Sequence, residues 1–153
     1  LKKVIKNILR GGYPVEKTKY GKYVIRKSVT KPEPYPTMEW IGDADYKSNV
    51  TFMITQVMAP CKMEEYPHSH DFDMYLHFVS YDFEHMNDLF AEIEIGLGEE
   101  QEMHTITSPA SVYIPAGLVH CPLIFKKVDK PLILFHTSIA SKYVKKEDSI
   151  KKS

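Results

Sequence analysis

Residues 91–120 read AEIEIGLGEEQEMHTITSPASVYIPAGLVH, and the fold is decided by this stretch. Ala91, Ile93, Ile95 and Leu97 alternate with Glu92, Glu94 and Gly96. A period of two places the apolar set on one face of a half-buried strand. Gly98-Glu99-Glu100-Gln101 has the chemistry of a turn, and residues 102–107 return as a second strand. After Pro109, residues 111–114 make a third, and Pro115-Ala116-Gly117 turns the chain into His120 at the start of a further strand.

Working outward, residues 50–58, 74–79 and 132–138 are rich in β-branched and apolar side chains and read as strands. Pro109, Pro115, Pro122 and Pro131 punctuate the series. Short strands separated by turn signals imply an all-β sandwich or barrel over residues 50–140. Residues 81–90 form a longer connection with room for a helical turn. Val4, Ile5, Ile8 and Leu9 have helical spacing before Gly11-Gly12, which predicts a short N-terminal helix. Pro14, Pro32, Pro34 and Pro36 keep residues 13–49 irregular, apart from a short strand within 23–29. Residues 1–49 are thus expected to be a helix and an extended arm lying on the barrel or on a partner. Residues 141–153 carry Lys142, Lys145, Lys146, Lys151 and Lys152 and read as a solvated tail.

Composition narrows the function. Twenty Lys+Arg balance twenty Asp+Glu in a chain of 153 residues. That balance argues against a nucleic-acid binder, which needs a basic footprint. No apolar run approaches the roughly 20 residues that span a bilayer. Two cysteines, Cys61 and Cys121, are too few for a disulfide scaffold. With no signal-peptide pattern at its start, the chain is expected in the cytoplasm. Both cysteines are expected to be structural thiols.

The chemistry lies in the histidines. His68-Ser69-His70 places two imidazoles at i and i+2, which share a face if the segment is a strand. His120, just after the Pro115–Gly117 turn, can bring a third nitrogen from a neighbouring strand. Three imidazoles with open positions suit a divalent transition metal: Fe, Zn, Mn, Ni or Cu.

His68-Ser69-His70 followed by Pro115-Ala116-Gly117-Leu118-Val119-His120 resembles the two motifs of the cupin superfamily, in the same order. The run from His68 to Leu76, with His120-Cys121-Pro122, also looks like small single-domain bacterial cupins of unassigned activity. The resemblance covers roughly residues 50–140. It implies a double-stranded β-helix, or jelly-roll barrel, and a metal held by His68, His70 and His120. It also implies a homodimer built through the N-terminal arm. This sequence departs from the motifs at several places. Met74 stands where the superfamily has its metal-binding Glu, and Tyr75 is one position further. Pro109 and Ile124 replace the second motif's Gly and Asn. A thioether ligand from Met74 would favour soft metals such as Cu(I); otherwise Met74 lines the barrel core.

Other residues complete the set of candidates. His104 shares a strand face with Glu102 and Ile106 and is a candidate acid/base or replacement ligand; an exposed strand histidine is the plain alternative. Tyr66 shares parity with His68 and can reach the cavity; Glu64 shares it too and is a candidate acid in place of Met74, with a solvated loop charge as its plainer reading. Tyr113 can offer the cavity a phenol. Asp73 should face away from Met74's side unless a bulge turns it inward. By the same alternation His77 faces away from Met74, and Cys121 away from His120. His136, in an apolar run, reads as a satisfied core residue, and His85 as surface. The expected function is a metal-dependent small-molecule enzyme of oxygenase, lyase or isomerase type. The alternative is a non-catalytic cupin that binds or senses a small ligand.

Overall fold

The computed structural model describes residues 18–144. Nine strands run through them: β1 (Thr37–Trp40), β2 (Thr51–Val57), β3 (Cys61–Glu64), β4 (Met74–Ser80), β5 (Ala91–Leu97), β6 (Glu102–Ile106), β7 (Ala110–Ile114), β8 (His120–Val128) and β9 (Leu132–Ser138). They form a five-stranded sheet of order β1-β2-β9-β4-β7 and a four-stranded sheet of order β3-β8-β5-β6. Every named strand pair is antiparallel. This is the all-β sandwich that the strand pattern implies, in the jelly-roll form that the cupin resemblance implies.

Alternation decides what enters the core. In β4, Met74, Leu76, Phe78 and Ser80 are buried, while Tyr75, His77 and Val79 face outward. In β9 the buried set is Leu132, Leu134, His136 and Ser138. From the other sheet come Ile93 and Ile95 on β5, and Leu123 and Phe125 on β8. Phe78 and Phe125 meet edge to face across the two sheets, with ring centroids 6.1 Å apart. Such apolar contact between sheets holds a sandwich together.

Strand β8 departs from regular alternation where it matters most. Ile95 pairs with Leu123 but Leu97 pairs with His120, so β8 carries one extra residue opposite β5. Cys121 within this bulge has φ 80, a left-handed backbone uncommon outside glycine. His120 and Cys121 are therefore both buried, although they are adjacent in sequence. Gly96 sits against the bulge: a Cβ there would stand 3.0 Å from the Cys121 carbonyl oxygen and 3.1 Å from Pro122 Cδ. A side chain at this position would have to push the bulge back by a few tenths of an ångström.

The N-terminal half differs from the expectation in detail. Residues 24–29 form no strand; instead β1, at Thr37–Trp40, extends the five-stranded sheet by pairing with β2. Pro32, Pro34 and Pro36 all precede β1 and so leave its ladder intact. The segment before it is tied down by side chains. Trp40 Nε1 donates to the Ile25 carbonyl at 3.2 Å, and Lys27 pairs with Asp45 at 2.7 Å. Residues 81–90 hold only turns. The expected helix over residues 1–10 and the lysines beyond Val144 lie outside the described residues. None of the described helices is long and apolar enough to cross a membrane.

Phe78→Ala should cost about 3–5 kcal/mol, the cost of emptying a fully buried aromatic site. Val79→Ala, on the outer face of the same strand, should change stability by less than about 0.5 kcal/mol. Urea unfolding of the two variants checks the assignment of the faces.

Candidate metal centre

His68 and His70 lie in the connection between β3 and β4, not within a regular strand. The connection is zipped to the start of β8 instead. His68 N–H donates to the His120 carbonyl at 3.0 Å, and His120 N–H donates back to His68 at 2.9 Å. Gly117 N–H donates to the His70 carbonyl at 2.7 Å. Gly117 has φ 86, which the turn requires and a larger residue would resist. Asp73 points away from the cavity, as alternation implies, and clamps the same turn. Its Oδ1 accepts from Ala116 N–H at 2.9 Å and its Oδ2 from the Tyr113 hydroxyl at 3.2 Å. The two histidine segments therefore hold each other in place.

One ring nitrogen from each of His68, His70 and His120 lies within 4.8 Å of both others, and all three residues are buried. Ring centroids are 4.5 to 5.1 Å apart. Each Nδ1 faces a backbone carbonyl: His68 to Tyr66 at 3.0 Å, His120 to Leu118 at 3.0 Å and His70 to Val144 at 2.7 Å. A carbonyl only accepts, so each Nδ1 carries the proton and each Nε2 offers its lone pair. His68 Nε2 is buried with no hydrogen-bond partner among the described residues. A buried acceptor left without a donor is costly, and a cation satisfies it. These donors suit a borderline divalent metal, and their Nδ1 bonds are the outer contacts that orient metal-bound imidazoles.

Beside His68 and His120 is a cavity of about 120 Å³. Its apolar wall includes Met63, Met74, Leu76, Leu123 and Leu134, and its polar side chains include Glu64, Cys121, His136 and Tyr143. Glu64 reaches it through an irregularity of β3. Lys62 pairs with Ile124 and Glu64 with Leu123, leaving Met63 as an extra residue. Cys121 is a correction: alternation pointed its side chain away from His120, but the bulge turns it into the same cavity. His136 is a satisfied core residue, with Nε2 3.1 Å from Ser138 Oγ, and also lines the cavity. Met74 is 2% exposed and belongs to the apolar core.

The other candidates stand elsewhere. His104, Tyr66 and Tyr113 are not among the described residues that line the cavity. His104 sits on the exposed edge strand β6, 3.2 Å from Glu102. Because that strand has no neighbour on one side and little packing on its faces, parity alone did not bring His104 inward. Tyr66 is 74% exposed and serves the site through its carbonyl. The Tyr113 phenol is spent on Asp73, and partial burial and that carboxylate hold its pKa above the usual phenol range. Cys61 is a free thiol whose pKa burial raises, so it is not an activated nucleophile.

Sequence reasoning missed Tyr143. Its ring lies 4.9 Å from that of His70, which stacks against Phe72 at 4.8 Å on another contact. Its hydroxyl is 3.3 Å from His70 Nε2. With Nδ1 protonated, the phenol is the donor in that bond. Burial, with Cys121 and Glu64 nearby, pushes the phenol's pKa well above its ordinary range, so with no ion beside it the hydroxyl keeps its proton. An aromatic residue inside a lysine-rich tail was the one available signal.

No family model matches the chain, and no curated protein sequence does. Solved structures with the same architecture do match. A recombinant oxalate oxidase in complex with glycolate is 11% identical, with a TM-score of 0.57 over 92% of this chain and 72% of that one. A Bacillus subtilis oxalate decarboxylase studied for its Mn(II) centres is 11% identical, with a TM-score of 0.50 over 72% of this chain. This chain spans 26% of the length of that decarboxylase. The polyketide cyclase RemF from Streptomyces resistomycificus is 10% identical, with a TM-score of 0.50 over 72% of this chain and 67% of its own. Identities this low speak for the fold alone. Two antiparallel sheets in jelly-roll order, with His68, His70 and His120 gathered between the two motifs, make this a chain of the cupin fold.

Proposed function

We propose that the chain binds one divalent transition metal through His68, His70 and His120 and acts as a small-molecule enzyme of oxygenase, lyase or isomerase type. The observation that carries this reading is the shared tautomer: three Nδ1–H groups are tied to carbonyls, so the Nε2 atoms are the acceptors of three imidazoles gathered in one buried cluster. When bound, the ion would supply Lewis-acid polarisation of a substrate oxygen or a site for redox chemistry. The chain's own groups do the rest. Met74, Leu76, Leu123 and Leu134 exclude water and lower the local dielectric around the imidazoles. The Glu64 carboxylate lines the same cavity and is placed to take or return a proton. A volume of about 120 Å³ favours a substrate of only a few heavy atoms, since drug-sized pockets begin near roughly 300 Å³. Two free cysteines fit a reducing compartment, and a homodimer follows from the resemblance of the arm.

A second reading, a ligand-binding cupin without turnover, draws on Met74, which leaves the motif without its usual carboxylate. Metal binding is common to both readings, and turnover distinguishes them.

Purified protein should bind close to one equivalent of Zn(II) or Mn(II). At a hundredfold excess over Kd, binding should add about 2.7 kcal/mol of stability. His68→Ala, His70→Ala and His120→Ala should each abolish that thermal shift. A wild-type protein whose melting temperature ignores every divalent metal would count against the proposal. His104→Ala and Tyr66→Phe should leave metal affinity unchanged within about twofold, because neither side chain reaches the cavity. Isothermal titration of the two variants reads this directly.

A further inference from the structure

The chain returns to the metal site after its last strand. Asp43 N–H donates to the Ser141 carbonyl at 2.9 Å, which anchors the segment just before Tyr143. Val144 gives its carbonyl to His70 Nδ1. Between these two anchors the Tyr143 ring packs on His70, on Phe72 at 6.1 Å and edge-on to His136 at 5.0 Å. Tyr143 is thus held at the cavity wall, with its hydroxyl on His70, by a strap fixed on both sides.

The separation of the hydroxyl from His70 fits two roles, a hydrogen bond to Nε2 or shared ligation of one ion. Two donors bound to one ion at about 2.0–2.1 Å, with a tetrahedral angle between them, stand about 3.3 Å apart. The Tyr143 oxygen lies 3.3 Å from His70 Nε2. Tyr143 lines the same cavity as His68 and His120. Met74, at the motif position of the missing carboxylate, offers no anionic oxygen.

Resting on the three-histidine reading above, we propose that Tyr143 is the fourth protein ligand of the metal, an anionic oxygen brought by the C-terminal strap in place of the absent Glu. On binding, the phenol O–H proton passes to solvent and the freed oxygen bonds the ion. A cation at the three Nε2 atoms favours the phenolate, as bound metals favour deprotonation of their ligands. The alternative is that Tyr143 only donates to His70 Nε2 and competes with metal for that lone pair. The two roles predict opposite signs for the same variant.

Zn(II) titration and Fe(III) loading from its nitrilotriacetate complex are to be compared in wild type, Tyr143→Phe and Tyr113→Phe. Phe at 143 keeps the ring packing, and melting of the metal-free variant checks that it folds. If Tyr143 is a ligand, Tyr143→Phe weakens Zn(II) binding on the order of tenfold or more. The Fe(III) wild type then shows a visible phenolate-to-iron charge-transfer band that Tyr143→Phe loses and Tyr113→Phe keeps. Equal or tighter Zn(II) binding by Tyr143→Phe overturns the proposal, as does an iron-loaded wild type without the band. In both of those cases wild-type Zn(II) binding still upholds the three-histidine site. A wild type that binds neither metal overturns both readings.

Discussion

Three backbone hydrogen bonds carry the site. His68 and His120 exchange a pair of them, and Gly117 donates to His70. They join two segments far apart in sequence at the point where β3, β4 and β8 come together. None depends on side-chain identity, but each depends on backbone shape. Gly117 must take a positive φ, and Asp73 must hold the Ala116 N–H. Once the segments are joined, the positions of the three imidazole rings follow.

Orientation then follows from hydrogen-bond chemistry. A free imidazole chooses between two tautomers, and a misplaced proton would close the lone pair that a metal needs. Here the carbonyls of Tyr66, Leu118 and Val144 each take an Nδ1–H. Two of these carbonyls lie two residues before their histidine, so local chain geometry supplies them. The third comes from the C-terminal strap, so His70 is oriented only when that strap is in place. The histidine cluster and the C-terminal strap are therefore joined at His70, and the strap's aromatic residue packs on the same ring.

The bulge in β8 explains the character of the cavity wall. A regular strand would present either His120 or Cys121 to the interior. The extra residue and the left-handed backbone at Cys121 present both. His68 and His120 thereby share one cavity with the apolar side chains of Met74, Leu76 and Leu123. A low dielectric strengthens interactions between these donors and a cation and makes their loss more costly.

Much of this was legible before any coordinates. The period-two pattern of residues 91–97 and the punctuating prolines and glycines specify strands and turns, because backbone sterics act locally. The His68–His70 and Pro115–His120 motifs marked the residues that gather. Parity left His104 and Tyr113 open between cavity and surface, because it states which face of a strand a residue occupies, not whether that face is covered. Cys121 was misplaced because a bulge shifts parity and leaves no clear mark in one sequence. Tyr143 was overlooked because its neighbours are lysines and its contact with His70 spans more than seventy residues. The sequence alone thus determined strand periodicity, turn positions and the histidines available for a metal. Tertiary structure alone decided how the three imidazoles converge and which hydroxyl meets His70, since those depend on strand register and on a distant segment folding back.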